Sequence, residues 1–155
     1  MRIVLDTNIL VRAVPHANSP AREVFVRAVV SPHLLIRSDF LLAELARVLR
    51  YDRLRPIHGL DEKGIDDHVA NVAANSVAVQ LPTESVPSII PRDPNDDLIV
   101  ATAVLGGAEV ICTLDRHLRH PDVVAYCAER GIRVMTDVEL LQRLRAQEGK
   151  PADGC

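Results

Sequence analysis

The sequence contains no tryptophan, two tyrosines and two phenylalanines, so aromatics make up 3% of its 155 residues. Stacking platforms for single-stranded bases are therefore scarce. Lysine is almost missing as well: 16 of the 18 basic residues are arginine, leaving Lys63 and Lys150. Arginine grips phosphate bidentately where lysine acts as a point charge, although a biased base composition would produce the same excess. The three cysteines, Cys112, Cys127 and Cys155, follow no ligand or disulfide spacing. That excludes a disulfide framework and a zinc finger. No apolar run approaches the roughly 18–20 residues of a membrane helix, and no membrane partner is expected. The opening MRIVLDTNIL carries Arg2 and Asp6 and lacks a small-residue cleavage site, so a secretory leader is not expected. A reducing, cytoplasmic location follows as the expectation. GxGxxG, GxxxxGK[ST], GxSxG and HExxH are all absent, which argues against the dinucleotide, P-loop, serine-hydrolase and zincin chemistries those spacings serve.

What is present is globular. Hydrophobic residues are 48% and charged residues 25%, close to the average for folded domains. A chain of this length fits one domain, expected over residues 1–146 with a loose polar tail at 147–155. Net charge is −3 but unevenly spread. Residues 1–60 hold nine basic and five acidic side chains, a net of +4; the remainder holds nine and sixteen, a net of −7. Arg47, Arg50, Arg53 and Arg55 lie close together in the first part.

Short apolar runs alternate with helical periodicity. RIVL, HLLI, Val77–Leu81, VICT and IRVM read as strands. Asp6-Thr7-Asn8 reads as a turn. Ser19-Pro20 reads as a cap with proline at the first helical position. FLLAELARVLRY reads as a helix with Leu41, Leu45, Val48 and Leu49 inward, capped by Ser38 or Asp39. Asp61 to Asn75 is a weaker helix with Ile65, Val69, Val72 and Ala73 as its stripe. Pro82 to Pro94 reads as loop. DDLIVATAVL is a nearly all-apolar helix stopped by Gly106-Gly107; Asp122 to Glu129 and VELLQRLRAQ complete the set. Strands separated by helices predict an α/β fold, a three-layer α/β/α sandwich around a parallel sheet of about five strands. In such sheets the functional crevice lies beyond the carboxyl ends of the strands.

Several acids stand out, most of them at that edge. Asp6 follows RIVL, Asp115 follows VICT, and Asp96 and Asp97 open the apolar helix that feeds VICT. Glu44 interrupts the apolar face of FLLAELARVL. Taken singly, each has an ordinary explanation as a cap, a turn former or a helix ion pair with Arg47. Together, crowded carboxylates must raise a pKa or bind a cation. Oxygen-only donors suit a hard divalent ion such as Mg²⁺. A phospho-accepting receiver domain would need a lysine at the crevice, and neither Lys63 nor Lys150 is placed for it.

The segments IVLDTNIL, FLLAELARVL, DPNDDLIVATAVLGGAEVI and CTLDRHL resemble, in order and interval, the four acidic motifs of PIN domains, most closely the single-domain VapC-like toxins of toxin–antitoxin pairs. The resemblance covers Arg2 to about Leu144. It implies a Mg²⁺- or Mn²⁺-dependent ribonuclease that cuts RNA through the acids Asp6, Glu44, Asp96 and Asp115, with Asp97 the alternative to Asp96. It also implies hydrogen-bonding support from Asn8 and Thr113, a cognate antitoxin and a homodimer. Arg12, Arg47 and Arg50 are candidates for holding the RNA backbone. The alternative is a PIN-like domain that binds RNA without cutting it.

Overall fold

A computed structural model of the protein describes residues 1–82 and 94–150, and at residues 94–97 the backbone alone. Most of the loop expected over Pro82–Pro94, and the end of the expected tail, lie outside the described residues.

The chain begins with β1 (Arg2–Leu5), whose last three residues are buried. Asp6 then caps a six-residue helix, α1 (Thr7–Arg12), where the sequence suggested only a turn. The same capping chemistry starts both, and six residues are too few to display a period. Next come α2 (Pro20–Ala28), capped by Ser19, and β2 (Leu34–Arg37). α3 (Asp39–Val48) is capped by Ser38, whose hydroxyl accepts from Leu41 N. α4 (Arg55–His58) has no counterpart among the sequence expectations. α5 (Glu62–Ala74), β3 (Ser76–Ala78), α6 (Pro94–Leu105), β4 (Val110–Cys112), α7 (Pro121–Ala128), β5 (Arg133–Met135) and α8 (Asp137–Glu148) follow. α8 opens on a capping box between Thr136 and Glu139 and runs two residues past the expected domain end.

The five strands form one parallel sheet in the order β3-β2-β1-β4-β5. The chain steps outward from β1 through β2 to β3, then returns to the other side of β1 for β4 and β5. Right-handed crossovers taken in opposite directions put their helices on opposite faces. Hence α2, which packs with α8, covers one face, and α6, which lies across β1, β2 and β4, covers the other. This is the expected α/β/α sandwich. The reversal in strand order falls between β1 and β4, and there the carboxyl edge opens into a crevice.

Gly106 shows how closely α6 meets the sheet. A Cβ there would lie 2.5 Å from Ile36 Cγ2 and 2.9 Å from the Thr102 carbonyl oxygen. The helix end is further tied by Arg2 Nε, which donates to the Gly106 carbonyl at 2.9 Å. The end of α6 thus sits beside the start of β1, so α6 runs against the strand direction. Its first turn, which carries Asp96 and Asp97, therefore opens at the same edge as Asp6.

Candidate active site

Asp6 is held from three directions. Its backbone N–H donates to the Cys112 carbonyl at 2.9 Å, which ties it to β4. Its Oδ1 accepts from Thr7 N at 2.8 Å. Its Oδ2 accepts from the Thr113 hydroxyl at 2.7 Å and from Asn8 Nδ2 at 3.1 Å. The side chain is 6% exposed. Burial raises its pKa, against the hydrogen bonds from Thr113 and Thr7; the nearby Asp115 charge raises it further, and Asn8 opposes.

Thr113 links the two acids. It is fully buried at the end of β4, and its Oγ1 also accepts from Asp115 N at 3.0 Å. Asn8 spans the same gap: its Oδ1 accepts from Leu114 N at 3.2 Å. Both residues thus tie the Asp6 carboxylate to the chain that follows β4. Asp115 Oδ1 in turn accepts from His117 N at 2.8 Å, which closes the turn after β4.

Asp6, Glu44 and Asp115 line one cavity of about 350 Å³. Three of the four expected acids thus meet, brought from β1, α3 and the turn after β4. The side chains of Asp96 and Asp97 lie outside the described residues. Arg12 lines the same cavity. Arg47 pairs with Glu44 at 3.5 Å. Arg50 is committed elsewhere, to Glu62 at 3.1 Å and Asp66 at 2.8 Å. The walls also include Thr7, Val11, Val48, Arg53, Leu54 and Ile57. None of these six carried a functional expectation. Arg53 was visible only as one of a cluster of four arginines.

Metal fit can be judged from the donors. The polar side chains lining the cavity are the carboxylates of Asp6, Glu44 and Asp115, the Asn8 amide, the Thr7 hydroxyl and the guanidinium groups of Arg12 and Arg53, with no imidazole or thiolate among them. The Thr7 hydroxyl is buried and lacks a hydrogen-bond partner among the described residues. Hard oxygen donors with excess negative charge match Mg²⁺ or Mn²⁺. Cys112 is no competitor as a nucleophile. It is buried, and burial drives its thiol pKa far above the ordinary range. Lys63, the residue a receiver domain would need at the crevice, pairs with Asp67 on α5 at 2.7 Å.

Comparison with known proteins bears on the family and the fold. A family model described as PIN domain matches residues 3–124. The crystal structure of FitAcB from Neisseria gonorrhoeae superposes with a TM-score of 0.51 at 17% identity, covering 88% of this chain and 98% of that one. At that identity the likeness speaks for the fold. No curated protein matches the sequence. Among the described residues no helix is long and apolar enough to cross a membrane.

Proposed function

The chain belongs to the PIN-domain family, and from that premise we propose that it is a divalent-metal-dependent endoribonuclease and the toxin of a toxin–antitoxin pair. The observation that carries the proposal is the meeting of Asp6, Glu44 and Asp115 in one cavity, at the edge where α6 begins. Those three acids, with Asp96, would hold Mg²⁺ or Mn²⁺. Bound there, the ion would offset the carboxylate charge, draw charge from the scissile phosphate and lower the pKa of the attacking water.

The remaining work falls to the protein. Asp6, fixed by Thr113, Asn8 and the Thr7 amide, presents a carboxylate of constant orientation. Asp115, fixed through its own amide by the same Thr113 hydroxyl, would orient water for in-line attack on phosphorus or complete a second metal site. Arg12 offers a guanidinium for the RNA backbone, which offsets repulsion between an acidic cavity and a polyanion. Arg47 and Arg50 remain candidates for that role only if substrate draws them from their present carboxylate partners.

The test is cleavage of total RNA by the purified chain. With Mg²⁺ or Mn²⁺ the RNA should be cut, and with a chelator it should stay whole. RNA that is bound but left intact in either metal would favour the non-catalytic alternative.

Two partners complete the proposal. Val104 and Leu105, at the end of α6, are exposed although Ile99, Val100 and Ala103 of the same helix are buried. An apolar edge of this kind suits a homodimer. Light scattering should give twice the 17.0 kDa mass, and a monomer at micromolar concentration would refute it. A cognate antitoxin, placing a basic side chain among the carboxylates, should bind more weakly as Mg²⁺ rises. An affinity indifferent to Mg²⁺ would place inhibition elsewhere.

A further inference from the structure

The four arginines between positions 47 and 55 differ in what neutralises them. Arg47 faces Glu44 at 3.5 Å. Arg50 meets Glu62 and Asp66, and Arg55 meets Glu62 at 2.7 Å. Arg53 has no carboxylate within ion-pair distance among the described residues, and it is the one of the four that lines the acid cavity. Its guanidinium carbon lies over the Tyr51 ring, 5.7 Å from the centroid. Tyr51 is itself anchored. The Arg47 guanidinium carbon lies 5.6 Å from the ring centroid, and its Nη1 donates to the Tyr51 hydroxyl. A continuous chain of contacts therefore runs from Glu44 through Arg47 and Tyr51 to Arg53.

We propose that Arg53 binds a phosphate of the RNA strand beside the scissile bond, and that Tyr51 and Arg47 position it. The inference rests on the nuclease reading above and adds a substrate contact to it. The Arg53 guanidinium, held near the ring by cation–π attraction and facing no carboxylate among the described residues, keeps a donor fork that matches two phosphate oxygens. In this proposal the acids, with their metal, take the phosphate that is cut, and Arg53, lining the same cavity, takes its neighbour, while Leu54 and the 62% exposed Ile57 offer an apolar wall to the intervening sugar and base. Charge also favours this occupant. A cation that pairs with none of the nearby acids calls for an anion, and a phosphodiester chain is anionic at every link.

The experiment is steady-state cleavage of a single-stranded RNA by the full chain with Mg²⁺, over about 50 to 200 mM KCl. Arg53→Ala should raise KM about tenfold, leave kcat within about twofold, and make the fall of log kcat/KM with log salt shallower by about one unit. Arg53→Lys should restore the salt slope but only part of KM, because it returns the charge without the fork. Tyr51→Leu should raise KM and keep the slope. An Arg53→Ala enzyme with the wild-type KM and slope would overturn the proposal, as would one that loses affinity only for a protein inhibitor. A wild-type chain that cuts no RNA would instead defeat the nuclease reading, and this contact with it.

Discussion

Replacing Asp6 by Asn is expected to lower RNA cleavage by at least ~10² while leaving the fold intact, because the substitution removes the charge around which the cavity is built. Volume is conserved, and most of the surrounding hydrogen bonds survive. Oδ1 of the new side chain can still accept from Thr7 N, and the Thr113 hydroxyl can turn to accept from the new amide. Asn8 loses an acceptor but is only half-buried. Stability in the absence of metal should therefore hold or rise. The sign follows from linkage. Burial, with Asp115 as the lesser contributor, raises the folded pKa of Asp6 above its ordinary value. The folded state then binds that proton more tightly than the unfolded chain does. Ionised Asp6 is a cost to folding near neutral pH, and the cost fades as pH falls through the folded pKa. The variant carries no such cost, so any advantage it shows at neutral pH should shrink on acidification. Metal supplies a second readout. A ligand at a hundredfold excess over its Kd stabilises the folded state by about 2.7 kcal/mol. For a domain of this size that raises Tm by roughly 5–10 °C. Wild type should show the Mg²⁺ shift and Asp6→Asn should lose most of it. A variant that cleaves at the wild-type rate and keeps the shift would remove Asp6 from the site.

The acids could be found in the sequence because the fold gives them a simple address. Asp6 and Asp115 each follow a short apolar strand, and parallel strands end on one edge. The strand order that brings those two together was not readable. β1–β4 neighbours depend on the chain reversing direction after β3, and no local pattern records that. Small elements escaped for a related reason. α4 spans four residues and shows no period, yet Leu54 and Ile57, at its cap and within it, wall the cavity. In α5 the buried stripe is Ile65, His68 and Val72, with Val69 only half-buried. A histidine holds that core place with its Nε2 donating to the Leu10 carbonyl at 2.9 Å, while its buried Nδ1 has no partner among the described residues. The arginines were the hardest to sort. Four of them between positions 47 and 55 look alike in sequence, and only the carboxylates brought up by α5 separate Arg50 and Arg55 from Arg53. Gly106-Gly107 was legible as a helix stop. Gly107 earns that with φ 63°, whereas Gly106 is needed for its close contact with Ile36, a constraint set across the sheet.

Thr113→Val should cut cleavage by about 10- to 100-fold, the usual consequence of losing a hydrogen bond behind a metal ligand. Valine copies the shape of threonine in this fully buried place, so the packing of β4 persists. What disappears is one oxygen with three hydrogen bonds, the longest of them accepted from Asn8 Nδ2 at 3.4 Å. It donates to Asp6 Oδ2 at 2.7 Å and accepts from Asp115 N at 3.0 Å. Without it the Asp115 amide is left seeking an acceptor, at a cost of about 1–3 kcal/mol if none is found, and the turn after β4 loosens. Asp6 loses the strongest of the contacts that hold its pKa down, while burial and Asp115 continue to push it up. Its pKa should therefore rise further. In the proposed mechanism cleavage needs the ionised form, so the acid limb of log kcat/KM against pH should move to higher pH. The deficit of the variant should be greatest at low pH and shrink as pH increases. Thr113→Ser keeps the hydroxyl and should retain the wild-type limb, with a modest stability loss for the missing methyl group. A Thr113→Val enzyme that is slower by the same factor at every pH would show that Thr113 holds Asp115 in place without tuning Asp6. One that matches wild type throughout would show that the short contact to Asp6 has no part in the chemistry.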